Sequence, residues 1–459
     1  MKYIHYKFMR PLILTIGFCL SIFNSIAQIG FFDVIGDSVA LEQGEDVIEL
    51  PNNNYVIAGL KYNSVSDTYG YIVEIDKDGH IIHQFIFNDP NHPNNDLGFN
   101  SICSLYGKYY SAGYNSNDSL GDNSCDISIL SSDTIGNNNW NIKYGDTLIN
   151  DIAKRIISDN KFLYTLGDKL LNYDPTLIKS DTNGNVVWIK SYGTPFMYGK
   201  LSKGLIQIED SSFILVGDGN ITSVAKDKWM IRTDKNGDTL FARIISNTGA
   251  GWVTNICKSY DTSVYLLGNS LSRYDYQGNL LADNFYPEFN VAFSMCKTND
   301  SNYVVGGYIH HDFSLTKLDT SGNVIWSNTY DNNGKNDELS KVIATSDGGY
   351  VMCGTSFFQG KQDILVIKVD SLGELHFATN INPITIDDNI ILYPNPTNEI
   401  VFIESSLPIE TVNIYSMSGQ FIKTRKRAKW VSISELSCGN YIVEVKAVDK
   451  YIRQRITKK

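Results

Sequence analysis

The sequence predicts an all-β protein: a seven-bladed β-propeller followed by a small Ig-like β-sandwich. Three observations predict it. The skeleton Asp-x-x-Gly inside apolar flanks occurs seven times between residues 76 and 377. An aromatic-apolar run ending in Gly precedes each occurrence. Beyond residue 380 both motifs stop, and short strands with a different pattern begin.

The octets read "DKDGHIIH" at 76, "DTIGNNNW" at 133, "DTNGNVVW" at 181, "DKNGDTLF" at 234, "DYQGNLLA" at 275, "DTSGNVIW" at 319 and "DSLGELHF" at 370, with 41 to 57 residues between successive Asp residues. The paired runs end at Gly59, Gly113, Gly167, Gly217, Gly268, Gly307 and Gly354. β-Branched stretches around them divide each unit into four short strands, a to d, joined as a meander. The octet is the c–d turn. Its Asp accepts backbone N–H groups, and its Gly takes the left-handed conformation of a three-residue hairpin. Trp140, Trp188, Phe241, Trp326 and Phe377 then fall on strand d, placed to wedge between neighbouring sheets. Seven such units close into a ring that leaves no long free edge. "ELHF" (374–377) reads as the last strand d, while "FFDVIGD" (31–37) shares the strand-d register of "WIKSYGT" (188–194) and is a candidate latch on the last blade.

The chain has 459 residues, 19% charged and 12% aromatic, a profile of a β-rich globular protein. Residues 1–27 read as a signal peptide: Lys2, Lys7 and Arg10, then the apolar "PLILTIGFCLSIF", then "SIA" before Gln28. Residues 28–380 form the propeller, 381–389 a linker and 390–459 the terminal sandwich. The signal carries +3 and residues 389–459 carry +5 (eleven Lys/Arg, six Asp/Glu), so the net −11 leaves −19 on residues 28–388. Such a body repels nucleic acid, which is excluded as a partner.

Cys19 leaves with the signal. Aligned on the Gly that ends strand b, one strand-a position holds Ile48, Cys103, Ile156, Ile206, Cys257, Cys296 and Ile343. Cys exchanging with Ile marks a buried hydrophobe, so free thiols are expected. "DKDG" at 76–79 lacks the downstream bidentate Glu of a calcium loop, and His310-His311-Asp312 reads as an exposed loop. No cofactor or metal is expected. The octet is similar to the sialidase Asp box but places one more residue between Asp and Gly. The body holds only Arg155, Arg232, Arg243 and Arg273, too few for the usual carboxylate-binding arginines.

The terminal region carries "YPNPT" at 393–397, "VNIYSMSG" at 412–419, "LSCGNYIVEV" at 436–445 and Lys458-Lys459. These residues resemble the type A C-terminal sorting domain of the type IX secretion system of Bacteroidota. The resemblance implies Sec export followed by passage through the type IX machinery. It further implies removal of the domain by a sortase-like peptidase, then release or anchoring to surface lipopolysaccharide. Tyr393, Pro394, Asn395, Pro396, Gly439, Tyr441, Lys458 and Lys459 carry the sorting signal on this reading.

The expected function is a secreted or surface-anchored binding module for an extracellular glycan or protein; the alternative is a propeller hydrolase or lyase acting on glycans. The a–b and c–d turns are short and uniform, whereas the b–c and d–a connections vary, so a ligand belongs on the latter face. Tyr198, Trp252, Tyr286, Phe357 and Phe358 are its candidate contacts.

Overall fold

The computed structural model describes residues 30–36, 40–62, 67–89, 96–116, 124–145, 150–169, 174–193, 198–222, 225–245, 251–268, 270–286, 291–332, 334–358, 361–376, 390–405, 408–417, 419–447 and 450–459. The signal segment 1–27 and the linker 381–389 lie outside these. Among the described residues there is no helix, and seven four-stranded antiparallel sheets account for residues 31–369. Their first strands are Leu41–Glu49, Leu97–Leu105, Asp151–Ser158, Tyr198–Gln207, Val253–Lys258, Val291–Lys297 and Asn336–Ala344. Each contacts the first strand of the next sheet, and Asn336–Ala344 returns to Leu41–Glu49. These seven strands a therefore encircle a central channel, and the chain is a seven-bladed propeller.

The last blade is built from Asn336–Ala344, Tyr350–Phe358, Lys361–Val369 and, as its fourth strand, the N-terminal Phe31–Ile35. Phe31 pairs with Lys368 and Ile35 with Ile364. The latch expected from "FFDVIGD" is what forms. "ELHF" as a strand d is corrected: Glu374–His376 form no strand, because Phe31–Ile35 already occupies that edge. The Gly30 amide donates to the His376 carbonyl at 2.5 Å, tying the two ends of the propeller together.

The octet turns share one geometry. In all seven, the Asp Oδ1 accepts the N–H groups two and four residues on, at 2.8–3.1 Å. Where Asn stands four residues after the Asp, at Asn137, Asn185, Asn279 and Asn323, its Nδ2 donates to the second oxygen at 2.7–2.9 Å. The turn glycines have φ from 75° to 92°, where a side chain is strained.

A second constraint acts on the same glycines. A Cβ on Gly184 would meet Trp140, one on Gly237 would meet Trp188 at 2.7 Å, and one on Gly373 would meet Trp326 at 2.7 Å. Each ring belongs to strand d of the preceding blade. Phe85 does the same over Gly136, and Phe31 over Gly79 at 2.8 Å, so the latch strand supplies the contact that closes the circle. Over Gly278 the place is taken by Arg243, Ile245 and Met230 at 3.2–3.4 Å, not by the expected Phe241. Tyr192, Tyr286 and Tyr330 complete the joint by donating their hydroxyls to the carbonyls of Gly237, Gly322 and Gly373, at 2.9, 2.6 and 2.8 Å.

The terminal region is a separate sandwich. Ile390–Tyr393, Ile400–Ser405 and Trp430–Ser432 form one sheet. Phe421–Lys426, Ile409–Ser416, Gly439–Ala447 and Lys450–Lys458 form the other. Val401, Val412, Ile414, Val431, Ile433, Val443, Val445 and Ile456 fill the space between them as an Ig-like core.

Gly237→Ala tests the inter-blade joint. It incurs the left-handed backbone cost of about 1–2 kcal/mol and also displaces Trp188. Gly107→Ala shares a positive φ of 70° but meets nothing within 4 Å, so thermal denaturation should show the larger Tm loss for Gly237→Ala.

Candidate functional site

The channel wall has its own repeated irregularity. In every blade the Gly that ends the strand-b motif lies opposite a β-bulge in strand a: Gly59 faces Gly44, Gly113 faces Phe99, Gly167 faces Ala153 and Gly217 faces Ser202. The series continues with Gly268 opposite Val253, Gly307 opposite Ala292 and Gly354 opposite Leu339. A Cβ on these glycines would strike the carbonyl of strand a just before the bulge, as at Gln43, Trp252 and Glu338. Only Gly admits the bend. The bulge leaves one residue per blade without a ladder partner: Glu45, Asn100, Lys154, Lys203, Thr254, Phe293 and Ser340. All seven are half-buried, and the ring they form lies toward the b–c/d–a face.

Part of this ring is structural. Asn100 Nδ2 donates to the Ala153 carbonyl at 2.8 Å, and Thr254 Oγ1 to that of Ala292 at 2.5 Å. Buried carboxylates tie neighbouring blades beside it. Asp46 accepts the Ile102 amide at 3.1 Å and the Ser101 hydroxyl at 2.7 Å. Asp168 accepts the Ser202 amide at 3.0 Å, and Asp218 accepts the Val253 amide at 3.1 Å and Lys226 at 2.9 Å. Lys341 reaches Asp46 at 3.4 Å, joining the last blade to the first.

Other charges there are unspent. Among the described residues Glu45, Lys154, Arg155 and Lys203 make no hydrogen bond or ion pair through their side chains. They nevertheless sense each other across the channel. Burial raises the Glu45 carboxyl to about 7, with Arg155 and Lys154 of the third blade opposing the rise and Asp46 and Glu338 adding to it. Burial lowers the Lys203 ammonium, Lys154 and Lys226 push it further down, and Asp218 and Asp168 pull it back. Phe293 stacks on Tyr308 at 5.7 Å, and Tyr308 on His311 at 6.4 Å, so a row of rings runs from the channel wall to the sixth-blade hairpin. His310 and His311 are exposed at the tip of that hairpin, as expected from the sequence.

The aromatic candidates divide. Trp252 is 44% exposed immediately before Val253, at the rim of the ring. Phe357 is half-buried near the end of Tyr350–Phe358. The side chains of Tyr198 and Phe358 lie outside the described ones. Tyr286 is corrected: it is 7% exposed, because its ring and hydroxyl are the inter-blade joint over Gly322. The cysteine alignment needs one shift. Cross-strand register puts Ile157, opposite Tyr164, at the position where Cys103 opposes Tyr110, since the a–b turns of these two blades are one residue shorter than those of the other five.

Asp76, Asp78 and His80, and likewise Asp370, Glu374 and His376, bring ligand atoms within 4.8 Å of one another. Both clusters are octet turns whose Asp already binds two backbone amides, and His80 stands where other turns have Asn. A cavity of about 250 Å³ lined by Lys143, Lys169, Ile178 and Ile189 lies between the second and third blades, away from the channel ring. Lys143 is spent on Asp89 at 2.6 Å.

In the terminal sandwich the expected signal residues are mostly occupied. Asn395 Nδ2 donates to the Arg455 carbonyl at 2.8 Å, and its Oδ1 accepts the Thr457 amide at 2.9 Å. The peptide bonds before Pro394 and Pro396 are cis. Lys458, 9% exposed, donates to the Ser434 carbonyl at 2.6 Å and to that of Leu436. Tyr441 donates to the Ser437 carbonyl at 2.8 Å. "YPNPT" thus clamps the last strand. Gly439 and Lys459 are exposed. Tyr393 is exposed, opposite Phe402, which in turn lies opposite Trp430.

Two outcomes follow. Burial pushes the thiols of Cys103, Cys257 and Cys296 up to about 12 and that of Cys353 well above its ordinary value, while Cys438 is exposed. Native alkylation followed by mass spectrometry should modify Cys438 first and leave these four slow until unfolding.

The second concerns pH. Hydrogen bonds from Asn and backbone groups hold the Asp133, Asp181, Asp234 and Asp319 turn carboxyls below their ordinary value. Burial raises Asp168 and Asp337 to about 6 and Glu45 to about 7. The depressed group's stability is lost as pH falls below about 3.8; the raised group's is lost as pH climbs from about 4 toward 7. The Tm should therefore peak near pH 4–5. Asp337, fully buried, with Asp312 adding to the rise and the Ser356 and Asn332 groups only partly offsetting it, should give a higher Tm at pH 7 as Asp337→Asn and a flatter fall.

Residues 391–459 match the family described as the secretion system C-terminal sorting domain. No curated protein matches the chain. Among solved structures, the WD40 β-propeller domain of Doa1 is similar at 11% identity and TM-score 0.50, covering 76% of this chain and 100% of its own. A streptogramin B lyase matches at 12% and 0.49, covering 74% and 98%. The WD40 domain of Neurospora crassa Pan2 matches at 10% and 0.47, covering 73% and 90%. At 11% identity the likeness to the Doa1 domain is one of fold. A sorting tail of this kind implies export to the cell surface or secretion, with the type IX machinery as partner. The chain is a seven-bladed β-propeller that carries, at residues 391–459, a type IX secretion system C-terminal sorting domain.

Proposed function

We propose that this protein is an exported binding module. Residues 1–27 are its signal peptide, the 28–380 propeller is its passenger, and the region beyond the 381–389 linker is cut off at the surface by a sortase-like peptidase. The passenger is then released or anchored to lipopolysaccharide in the outer membrane of a Bacteroidota cell. The ligand, an extracellular glycan or protein, sits on the b–c/d–a face at the channel mouth, with Trp252, Tyr198, Phe357 and Phe358 around it. Tyr286 is left out of this set because the inter-blade joint consumes it.

The observation that carries this reading is the ring of seven bulges, which puts an unpaired side chain from most blades around one opening. It favours binding over the glycan hydrolase or lyase alternative. Catalysis of glycan cleavage draws on paired carboxyls. Here Asp46, Asp168 and Asp218 are spent on backbone amides, and Glu45 is the half-buried carboxyl left over.

Screening the full mature chain on glycan and peptide arrays should find a ligand whose binding weakens about tenfold in Trp252→Ala and not in Asn183→Ala, at the opposite face. Loss in the turn variant with an unchanged Trp252 variant places the ligand elsewhere. In cells, deleting 390–459 should strand the protein in the periplasm, and intact mass of the surface form should lack Lys459.

A further inference from the structure

Resting on the channel-mouth reading, we propose that the bulge ring is an anion site for the carboxylate of an acidic saccharide. Lys154, Arg155 and Lys203 are its cationic side and Phe293 its apolar wall.

The argument begins with charge. Residues 28–388 carry −19, so a cation in the propeller ordinarily has acidic neighbours to pair with, as Lys61 has Glu42 at 2.7 Å and Lys143 has Asp89 at 2.6 Å. Lys154, Arg155 and Lys203 sit on adjacent strands, in two neighbouring blades, and have no such pair among the described residues. Three acids act on them without forming an ion pair: Glu45 faces Arg155 and Lys154 from the first blade, and Asp218 and Asp168 act on Lys203. Asp168 is turned to the Ser202 amide, and Asp218 is shared by the Val253 amide and Lys226. Half-buried cations left unpaired, and repelling one another as Lys154 and Lys203 do, are a cost that a bound anion removes.

The remaining ring residues say which anion. Glu45, and Glu338 beside it, would repel a peptide carrying many carboxylates. A single free carboxylate among hydroxyl-seeking groups instead suits a ligand with one acid and several hydroxyls, which Glu45 and Ser340 can bind. Phe293, backed by Tyr308, supplies the flat apolar surface on which the C–H face of a sugar ring packs, and the exposed Trp252 lies one residue before the preceding blade's inner strand. Arg155, one of only four arginines in residues 28–388, is the planar donor that matches a carboxylate.

The test uses the full mature chain and calorimetry with three probes: oligomers of galacturonate, glucuronate and mannuronate, each against its methyl ester. Sulfate and an oligoglutamate peptide serve as competitors. At least one acidic oligomer should bind. Its ester should bind at least tenfold more weakly, and affinity should fall with ionic strength. Lys154→Met/Lys203→Met should abolish carboxylate-dependent binding, whereas Lys190→Met on the outer strand should not; a Tm near wild type for each variant shows it is folded. The proposal is overturned if no acidic oligomer binds, if acid and ester bind alike, or if the double variant binds normally. It is equally overturned if the peptide binds tighter than every sugar. A neutral ligand found on the arrays and lost in Trp252→Ala would sink the anion site while leaving the binding reading intact. Arrays with no ligand, or none sensitive to Trp252, would sink that reading itself.

Discussion

The ring holds because a strand-d side chain of one blade lies on the bare Cα of the next blade's turn. That contact needs three things at once. The turn must take a positive φ, it must lack a Cβ, and its Asp must organise the loop so that the glycine is presented at a fixed place. The octet supplies all three, which explains why its Asp and Gly recur while the residues between them vary. Where the propeller's two ends meet, Phe31 fills the joint over Gly79.

Inside that ring a second glycine has a different task. Where the octet glycine makes room for a side chain, the strand-b glycine makes room for a carbonyl, and the bulge it permits frees one residue per blade from the ladder. Propeller stability and channel chemistry are thereby separated. Backbone amides beside the bulges are taken by Asp46, Asp168 and Asp218, which knit blade to blade. The bulged side chains themselves are under no such demand, and the ring can carry Glu, Lys, Phe or Ser without disturbing the sheets. A charge placed there is held half out of water, where its interactions are stronger than at the surface.

The sorting domain shows a related economy. Asn395 and Lys458 bind main-chain groups of the last strand and of the 434–436 turn, so residues far apart in the sequence fasten the C-terminus into the sandwich. What the domain leaves outward on its smaller sheet is Tyr393, Phe402 and Trp430 in register, with Arg425 over the Trp430 ring.

Much of this was legible from local pattern. The seven octets and their partner runs carry turn chemistry that depends only on neighbours in sequence, so blade number, strand order and the terminal domain could be read directly. The buried thiols follow from Cys exchanging with Ile at one register. Other features depend on residues that meet only when the ring closes. "ELHF" looked like a strand but found its edge taken by Phe31–Ile35, a segment more than 300 residues away. Tyr286 looked like a loop aromatic, yet the neighbouring blade's turn buries it. Arg155 and the bulged Lys154 and Lys203 look like ordinary strand residues in sequence, since a bulge is invisible to period-two counting. Sequence alone determined which local pieces form and how many. The tertiary structure decided which edges they share and which charges stay unpaired, because pairing across the channel is set by closure, and closure is a property of the whole ring.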